Sequence, residues 1–488
     1  MEKKFTVRIH LIKPVLVVLL FSSLAWISGF HGIAFVRAQD QTPSGPVYIV
    51  QEGDTLWDIA LRFGVQMAEL AKVNDITDPA QIAVGDQLII PGLEGVTGVL
   101  TTINVPYGET IRSLSRRFQT SVEVLAKLNH ITNPSELYID SSLVIPQQEE
   151  AIDLNGREML DPSHSILELA VANGTNPWAY LLQNDLPGTW GAVPGDVLHT
   201  QSESSQPENS DEGLMNPGAL PDAIDSISIE PLPFVQGKAA KIHVKGDEGI
   251  NLMGSFLDHE MQYFELENGE YVSLQGVHAM TEPGFYPLYL SGTLANGTPF
   301  SFSQAVYVRD GDYPYDPTLN VSPETIDPTV TRPEDAEWQA LTAPVTSEKL
   351  WDGIFQSPAP PPFNDCWPSR FGNRRSYNGG EYSSFHTGLD FCGRVGTEVL
   401  APAAGRVVFA GPLTVRGNST VIDHGWGVYT AYMHQSEILV KPGDLVTPGQ
   451  LIGLVGGTGR VTGPHLHWEV WVGGLQVDPL DWLEQVFP

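Results

Sequence analysis

Apolar and polar residues follow two different rhythms along the chain. Up to residue 201, short strand-like runs are followed by apolar residues at helical spacing, as at Leu56, Ile59 and Phe63. From about residue 226, period-two runs rich in β-branched and aromatic residues are separated by Gly, Pro and Asn, which is typical of antiparallel strands. The pattern predicts a multidomain protein that is α+β at its N-terminal end and all-β at its C-terminal end.

The N-terminal part contains an internal repeat with a period of 55 residues. The segment Gly53–Ala60 corresponds to Gly108–Ser115, and a further 55 positions lead to Ser165–Ala170. Each unit is predicted to run strand–helix–helix–strand, with Thr55 and Thr110 capping the first helix of their units. Asn74, at the end of the second helix, is expected where a left-handed residue is tolerated.

These units resemble the LysM module, a small domain that binds glycans containing N-acetylglucosamine. The resemblance covers residues 47–92 and 101–147, and in degenerate form 157–201, where the Gly-Asp-Thr turn and the terminal Ile-Pro are missing. It implies glycan binding by the first two units and leaves the third open. The alternative is that all three units are spacers.

The middle of the chain separates the repeats from a C-terminal domain. Residues 202–225 are rich in Ser, Glu, Pro and Gly and are predicted to be a linker, and 226–310 to be an antiparallel β-sandwich with turns at Gly237, Gly292 and Asn296-Gly297. Residues 311–362 are Pro-rich and are expected to form an extended connector with one or two helical turns near Pro333–Leu341. The predicted strands are Ala240–Val244, Glu270–Leu274, Tyr286–Leu290 and Gln304–Val308.

The N-terminus has the features of an export signal. A basic start and an apolar stretch precede small residues at Val36 and Ala38, so residues 1–38 are predicted to be a signal peptide. The alternative is an uncleaved membrane anchor over residues 15–36. Both place the bulk of the chain outside the cytoplasm, secreted or at the cell wall. The net charge of −32 argues against nucleic acid as a partner.

The last 126 residues, 363–488, carry the candidate chemistry. Alternate residues of a strand point to the same side, so His465 and His467 are predicted to face one space. His386 and Asp390 are four residues apart, with Gly388 between them. Two imidazoles and one carboxylate form an N/O ligand set that suits zinc with an open fourth position, as in catalytic sites. Further histidines, His434 among them, remain for acid–base work.

Residues 369–483 resemble the lysostaphin/LytM-type zinc metallopeptidases, which cleave peptide bonds in bacterial peptidoglycan. The motifs that carry the resemblance are His-x-x-x-Asp at 386–390, Tyr-x-His at 432–434 and Gly459–His467. They imply one zinc ion per chain, held by His386, Asp390 and His467.

The resemblance also implies catalytic roles. His465 is expected to be the general base and His434 to stabilise the developing oxyanion, or the two roles are exchanged. Four residues before the first motif either line a substrate groove or are ordinary surface residues; they are Arg374, Arg375, Tyr377 and Asn378.

The expected function is therefore a secreted, zinc-dependent peptidoglycan endopeptidase that LysM units bring to the wall. Two alternatives are a wall-bound regulator of another hydrolase and an adhesin that acts through the middle domain. The only two cysteines of an exported chain, Cys366 and Cys392, are expected to form a disulfide. Free thiols, or a thiolate of Cys392 near the metal, are the other possibilities.

Overall fold

The computed structural model describes residues 45–93, 96–133, 136–147, 154, 156–160, 163–201 and 217–488. The predicted signal or anchor segment and residues 202–216 of the predicted linker lie outside this range. Within it, none of the helices is both long enough and apolar enough to cross a bilayer.

Each of the three N-terminal units has the predicted order strand–helix–helix–strand. Thr55 accepts a hydrogen bond from the backbone nitrogen of Asp58, and Thr110 and Ser165 cap their helices in the same way, so each helix begins directly after the turn. The third unit keeps this order despite its divergent turn. The elements are β1 (Val47–Ile49), α1 (Leu56–Arg62), α2 (Met67–Val73), β2 (Gln87–Ile89); β3 (Val99–Asn104), α3 (Ile111–Arg117), α4 (Val122–Leu128), β4 (Ser142–Gln147); and β5 (Gly156–Met159), α5 (Ile166–Ala172), α6 (Pro177–Gln183), β6 (Val197–Thr200).

Asn74 lies at the end of the second helix, as expected, but it is not itself the left-handed residue there. Asn74 has φ −102°, and the left-handed residue is its neighbour Asp75, at φ 55°. The Asn74 amide instead donates to the carbonyl oxygens of Leu70 and Ile89 and accepts from the Ile89 nitrogen. It therefore ties the second helix to the last strand of the unit.

The first two units share one sheet, whereas the third has its own. The strand order is β2-β1-β3-β4, and the central pair β1 and β3 is parallel. The core under this sheet also crosses the boundary, since Leu100, Leu128 and Val144 of the second unit pack with the buried residues of the first. The two units are thus one folded body.

The middle domain is a sandwich of two sheets, in the order β11-β10-β14-β15-β8 and β12-β13-β9-β7. All four predicted strands form. The turn predicted at Gly292 does not, because Gly292 lies inside a strand. A Cβ at this position would be 2.3 Å from the Asn251 carbonyl oxygen of the neighbouring strand, so the strand pairing requires glycine. The strands are β7 (Ile224–Glu230), β8 (Phe234–Val235), β9 (Ala239–Gly246), β10 (Asn251–Phe256), β11 (His259–Gln262), β12 (Phe264–Glu265), β13 (Glu270–Gly276), β14 (Gly284–Thr293) and β15 (Pro299–Arg309).

The second unit packs directly on this sandwich. The Ile139 nitrogen donates to the Ala305 carbonyl oxygen at 2.8 Å, and the Gly108 nitrogen to Gln304 Oε1 at 3.0 Å. Ile139 is 2% exposed and belongs to the sandwich core. The second unit is therefore in direct contact with the middle domain, although the predicted linker lies between them in the sequence.

The Pro-rich segment is not simply an extended connector. It contains the 15-residue helix α7 (Pro328–Thr342), which is longer than the predicted turns and includes Pro333. Trp338 on this helix is fully buried against strands of the C-terminal domain, with Val421, Tyr429 and Trp471. Packing against another element overrides the weak local helix signal.

The C-terminal domain is built on a nine-stranded antiparallel sheet whose central path is β18-β25-β22-β21-β20-β23. Cys366 and Cys392 form a disulfide, with Cα atoms 5.4 Å apart, that joins the entry segment to β18. The elements are β16 (Arg374–Arg375), β17 (Ser384–Phe385), β18 (Leu389–Cys392), β19 (Glu398–Leu400), β20 (Gly405–Pro412), β21 (Asn418–Gly425), β22 (Val428–Ile438), β23 (Leu445–Val446), β24 (Leu451–Val455), β25 (His465–Val472), β26 (Leu475–Val477) and α8 (Pro479–Glu484).

Candidate active site

Three neighbouring strands carry four of the five predicted site residues, and the fifth, His386, lies just before the first of these strands. Asp390 on β18 is the direct antiparallel partner of His467 on β25, and His467 is the partner of Met433 on β22, next to His434. Strand β25 has two faces: Leu466, Trp468, Val470 and Val472 enter the main core, and the odd-numbered residues face the opposite side. His465 and His467 therefore lie on the same face of β25, as the alternation of side chains along a strand predicts.

The three predicted ligand atoms converge on one point. His386 Nε2 lies 3.0 Å from Asp390 Oδ1 and 3.0 Å from His467 Nδ1, and these last two atoms are 2.9 Å apart. All three residues are buried. Gly388 makes the approach possible, because a Cβ there would lie 2.8 Å from the His467 ring. This compact, buried set of two imidazoles and a carboxylate fits a divalent metal ion.

The ring orientation of each histidine ligand is fixed by a hydrogen bond to a group that is not itself a ligand. The Arg370 carbonyl oxygen lies 2.8 Å from His386 Nδ1, so this nitrogen carries the proton and Nε2 is left to coordinate. In His467 the arrangement is reversed, because Nε2 lies 3.3 Å from Glu469 Oε1 and Nδ1 points to the other ligands. Both histidines thus present a lone pair to the same point.

The two remaining histidines lie beside the ligands and face each other. The ring centres of His434 and His465 are 5.0 Å apart, and that of His434 is 6.0 Å from His467. His434 Nδ1 donates to the Thr458 carbonyl oxygen and His465 Nδ1 to that of Gly463, both at 2.8 Å. In the neutral form of each ring the lone pair is therefore on Nε2, which can accept a proton. His465 Nε2 is 3.6 Å from Asp390 Oδ1.

Burial and neighbouring charges set the protonation of the site. Burial, helped by the nearby His467 and His465, lowers the pKa of His434 to about 3, so this ring is neutral at neutral pH. Burial opposes ionisation of Asp390, but its contacts with His386 and His467 outweigh it and hold the carboxyl pKa well below its usual range. Burial also lowers the pKa of His386. Burial disfavours the charged form of His467, but its hydrogen bonds to Asp390 and Glu469 outweigh this and raise its pKa, so a metal ion bound there would displace the second proton of this ring.

The four predicted groove residues divide into two pairs. Arg375 is close to the site, with Nη2 at 3.8 Å from Asp390 Oδ2 and 3.0 Å from Ser369 Oγ. The ring of Tyr377 lies under the guanidinium of Arg460, on the loop that leads to β25.

The other two are engaged elsewhere. The Arg374 guanidinium contacts Gln236 of the sandwich and lies over Tyr313, and Asn378 is left-handed and hydrogen-bonds the backbone of Val321. Arg374 and Asn378 thus contact the middle domain and the segment that follows it, and Arg375 alone of the four lies beside the ligand set.

Sequence reasoning missed Glu469. This carboxylate is 1% exposed and lies directly behind His467. The signal was present, because positions 465, 467 and 469 alternate along β25 and share a face. Ser369, whose Oγ is 3.1 Å from His386 Nδ1, was missed too, and nothing in its sequence context distinguishes it.

Comparison with known proteins finds two family matches along the chain. Residues 384–479 match the model of Peptidase family M23, and residues 48–91 and 104–146 match that of the LysM domain. Peptidoglycan DD-endopeptidase ShyA of Vibrio cholerae serotype O1 is 43% identical over 121 residues, which are 24% of this chain and 28% of ShyA. DD-carboxypeptidase/endopeptidase Mpg of Neisseria meningitidis serogroup B is 44% identical over 95 residues, 20% of this chain and 22% of Mpg.

Among solved structures, the catalytic domain of the antimicrobial peptidase lysostaphin from Staphylococcus simulans is 29% identical, with a TM-score of 0.20, covering 31% of this chain and 98% of that domain. The matched segments of ShyA and Mpg are about a quarter of those proteins. The two family-model matches confirm the fold class and the family resemblance expected from the sequence. The chain contains a domain of Peptidase family M23, of the LytM/lysostaphin type, preceded by two LysM domains.

Proposed function

We propose that the chain is an extracytoplasmic, zinc-dependent peptidoglycan endopeptidase that its LysM domains hold at the cell wall. The observation that carries the proposal is the convergence of five side chains. Three of them, His386, Asp390 and His467, bring ligand atoms within 3.0 Å of one another, and His434 and His465 add two proton-accepting nitrogens beside them. The regulator without activity is disfavoured because each of these groups is in place.

The chemistry divides between the metal and the chain. His386, Asp390 and His467 would hold the zinc ion, which would supply a Lewis acid and an activated water at neutral pH. His465 is half-buried at the edge of the ligand set and is our choice for the general base, because its Nε2 accepts a proton while the Gly463 carbonyl holds the ring. His434 is neutral and donates its Nδ1 proton to Thr458, so it stabilises the oxyanion only after its Nε2 has taken a proton from the attacking water; the two roles are exchangeable.

Two lines of support point to the bacterial wall as substrate. ShyA, which resembles the catalytic domain, is named a peptidoglycan DD-endopeptidase, and LysM modules bind glycans that contain N-acetylglucosamine. The disulfide suits an oxidising compartment, in agreement with the export signal expected over residues 1–38. We therefore infer a stem or cross-link peptide as the substrate of the catalytic domain and the glycan strand as the ligand of the LysM units.

Digestion of purified peptidoglycan, with mass analysis of the released fragments, tests the activity. We expect the wild-type chain to release peptide-cleaved fragments and to contain about one zinc ion by elemental analysis. His386→Ala should lose both, because it removes one of three ligands. His424→Gln is the matched control, since His424 is equally buried but bonds Ala404 and Thr430 away from the ligand set. Full hydrolysis by metal-free wild-type protein would refute the proposal.

A competition experiment tests the wall-binding role. The inactive His386→Ala variant should sediment with insoluble wall, and an excess of N-acetylglucosamine oligomers should release it. In the wild-type chain the same oligomers should leave cleavage of a soluble cross-link peptide unchanged, because binding units raise local concentration without entering the reaction. Sedimentation that the oligomers do not reduce would show that the wall is bound by other means.

A further inference from the structure

The Glu469 carboxylate is the meeting point of three N–H donors. Its Oε2 accepts from the indole nitrogens of Trp471 at 2.8 Å and Trp338 at 3.2 Å, and its Oε1 lies 3.3 Å from His467 Nε2. Glu469 is 1% exposed, so it is not solvated by bulk water. An ionised carboxylate only accepts hydrogen bonds, and here both of its oxygens are occupied by donors.

This arrangement determines what His467 can offer a metal ion. With the Nε2 proton directed to Glu469, the lone pair is on Nδ1, the atom that lies 2.9–3.0 Å from the other two ligand atoms. Thr387 Oγ1 also lies near His467 Nε2, at 3.4 Å, but a hydroxyl accepts or donates and does not fix the tautomer. The carboxylate, which cannot donate, is the group that does.

One of the three donors comes from outside the region matched to the peptidase family. Trp338 is on α7, in the segment that sequence analysis treated as a connector. The helix is pinned beside the site by Glu334, which accepts from the backbone nitrogens of Val415 and Arg416, both at 2.9 Å. The Arg416 guanidinium also lies 4.9 Å from the Trp338 ring centre.

We propose that helix α7 is part of the support of the metal site. Through its indole N–H, Trp338 joins Trp471 in holding the Glu469 carboxylate, and Glu469 in turn holds His467 in the tautomer that coordinates through Nδ1. Trp338, Trp471 and Glu469 are positioning residues: they act on the metal through His467 and touch neither metal nor substrate. The inference rests on the metal dependence proposed above and extends the functional unit upstream of residue 384.

Zinc affinity of the full-length chain, measured by competition with a chromophoric chelator, tests the proposal. Glu469→Gln leaves one acceptor oxygen for three donors, so it should weaken zinc binding about 10–100-fold, the usual effect of losing a partner of a metal ligand. Trp338→Phe keeps a ring in the core but removes one N–H; it should weaken binding in the same direction by a smaller factor.

Trp482→Phe is the matched control. Trp482 is as buried as Trp338, but its indole nitrogen has no hydrogen-bond partner among the described residues. The two Phe variants should lose similar thermal stability, and only Trp338→Phe should lose zinc affinity. Equal zinc affinity in the two variants would overturn the role of α7, and wild-type affinity in Glu469→Gln would overturn the role of the carboxylate.

The zinc-affinity test is independent of whether the chain is a peptidase. If Glu469→Gln does not fold, Trp338→Phe against Trp482→Phe decides the question. Because zinc affinity is measured without substrate, a wild-type chain that binds zinc but releases no wall fragments would contradict the proposed function and leave this test intact.

Discussion

His434 shows how a single residue can be held in an unusual conformation by its surroundings. Its φ is 62°, in the left-handed region, which non-glycine residues seldom adopt. Two hydrogen bonds over-determine it: the His434 nitrogen donates to the Arg416 carbonyl oxygen at 3.0 Å, and Nδ1 donates to that of Thr458. Backbone strain of this kind is common at functional sites, where it directs one side chain out of the regular pleat.

Removing His465, the proposed general base, should separate metal binding from turnover. We expect His465→Ala to retain zinc, since His465 is not one of the three ligands, and to lose about 10²–10⁴-fold in the rate of peptide hydrolysis. Zinc content by elemental analysis and initial rates on a soluble cross-link peptide measure the two effects. Loss of zinc from His465→Ala would mean that His465 is a ligand and that the ligand set has been assigned wrongly.

The predictions for individual site residues used only the alternation of side chains along a strand, and this set their limits. Alternation along a strand was enough to put His465 and His467 on one face. It could not show that Glu469 fixes the His467 tautomer, because that depends on a hydrogen bond. Nor could it show that Arg374 points to the sandwich, since this depends on a contact with Gln236, 138 positions earlier.

At the scale of secondary-structure elements, the repeat is defined by an asparagine clasp as well as by its helices. Asn129 and Asn184 make the same three bonds as Asn74: to the carbonyl four residues earlier and to the backbone N–H and carbonyl fifteen residues later. The clasp is present in the third unit even though the turn and the final Ile-Pro have diverged. It therefore accounts for the persistence of the fold in that unit.

We expect the clasp to contribute most where it is most buried. Asn184 is fully buried and Asn74 half-buried, so Asn184→Ala should leave the His199 backbone groups unpaired and away from water. An unsatisfied buried group costs about 1–3 kcal/mol, and Asn74→Ala should cost less because water can reach its partners. Urea denaturation of the two variants measures the difference. A smaller loss for Asn184→Ala than for Asn74→Ala would contradict the clasp.

Helix α7 marks the limit of local reasoning about elements. The sequence suggested only one or two turns near Pro333–Leu341, because proline removes a helical hydrogen bond. The full helix forms because Trp338 is buried and Glu334 is bonded to the next domain. Both contacts are with residues about 80 or more positions further along the chain, and helix propensity depends only on neighbouring residues.

At the scale of the whole molecule, equivalent surfaces of the repeat have different roles. Val84 of the first unit is 67% exposed, whereas Ile139, 55 positions later, is 2% exposed beneath the sandwich. Glu109 is likewise buried and paired with Arg117 at 2.7 Å, although its counterpart Asp54 is only half-buried. The second unit is thus a structural bracket between the first unit and the middle domain. The sequence could predict the repeat but not which copy would be covered.

A pair of substitutions related by the repeat tests the bracket. Ile139→Asp should destabilise the chain by about 2–4 kcal/mol, because it removes a buried apolar side chain and places a charge in the interface. Val84→Asp makes the same chemical change on the open surface and should stay within about 0.5 kcal/mol of wild type. The urea midpoint gives both values. Equal midpoints for the two variants would show that the second unit does not depend on the sandwich.

Strand β25 supplies His465, His467 and Glu469 from one face and Leu466, Trp468 and Val470 to the core from the other. Inserting or deleting one residue within it would exchange the faces, sending imidazoles into the core and aromatic rings to the site. Substitutions along β25 can be made one at a time, but a change in its length destroys function and stability together. Variation in length across related chains should therefore be confined to connections such as 439–444, where the backbone turns between strands β22 and β23.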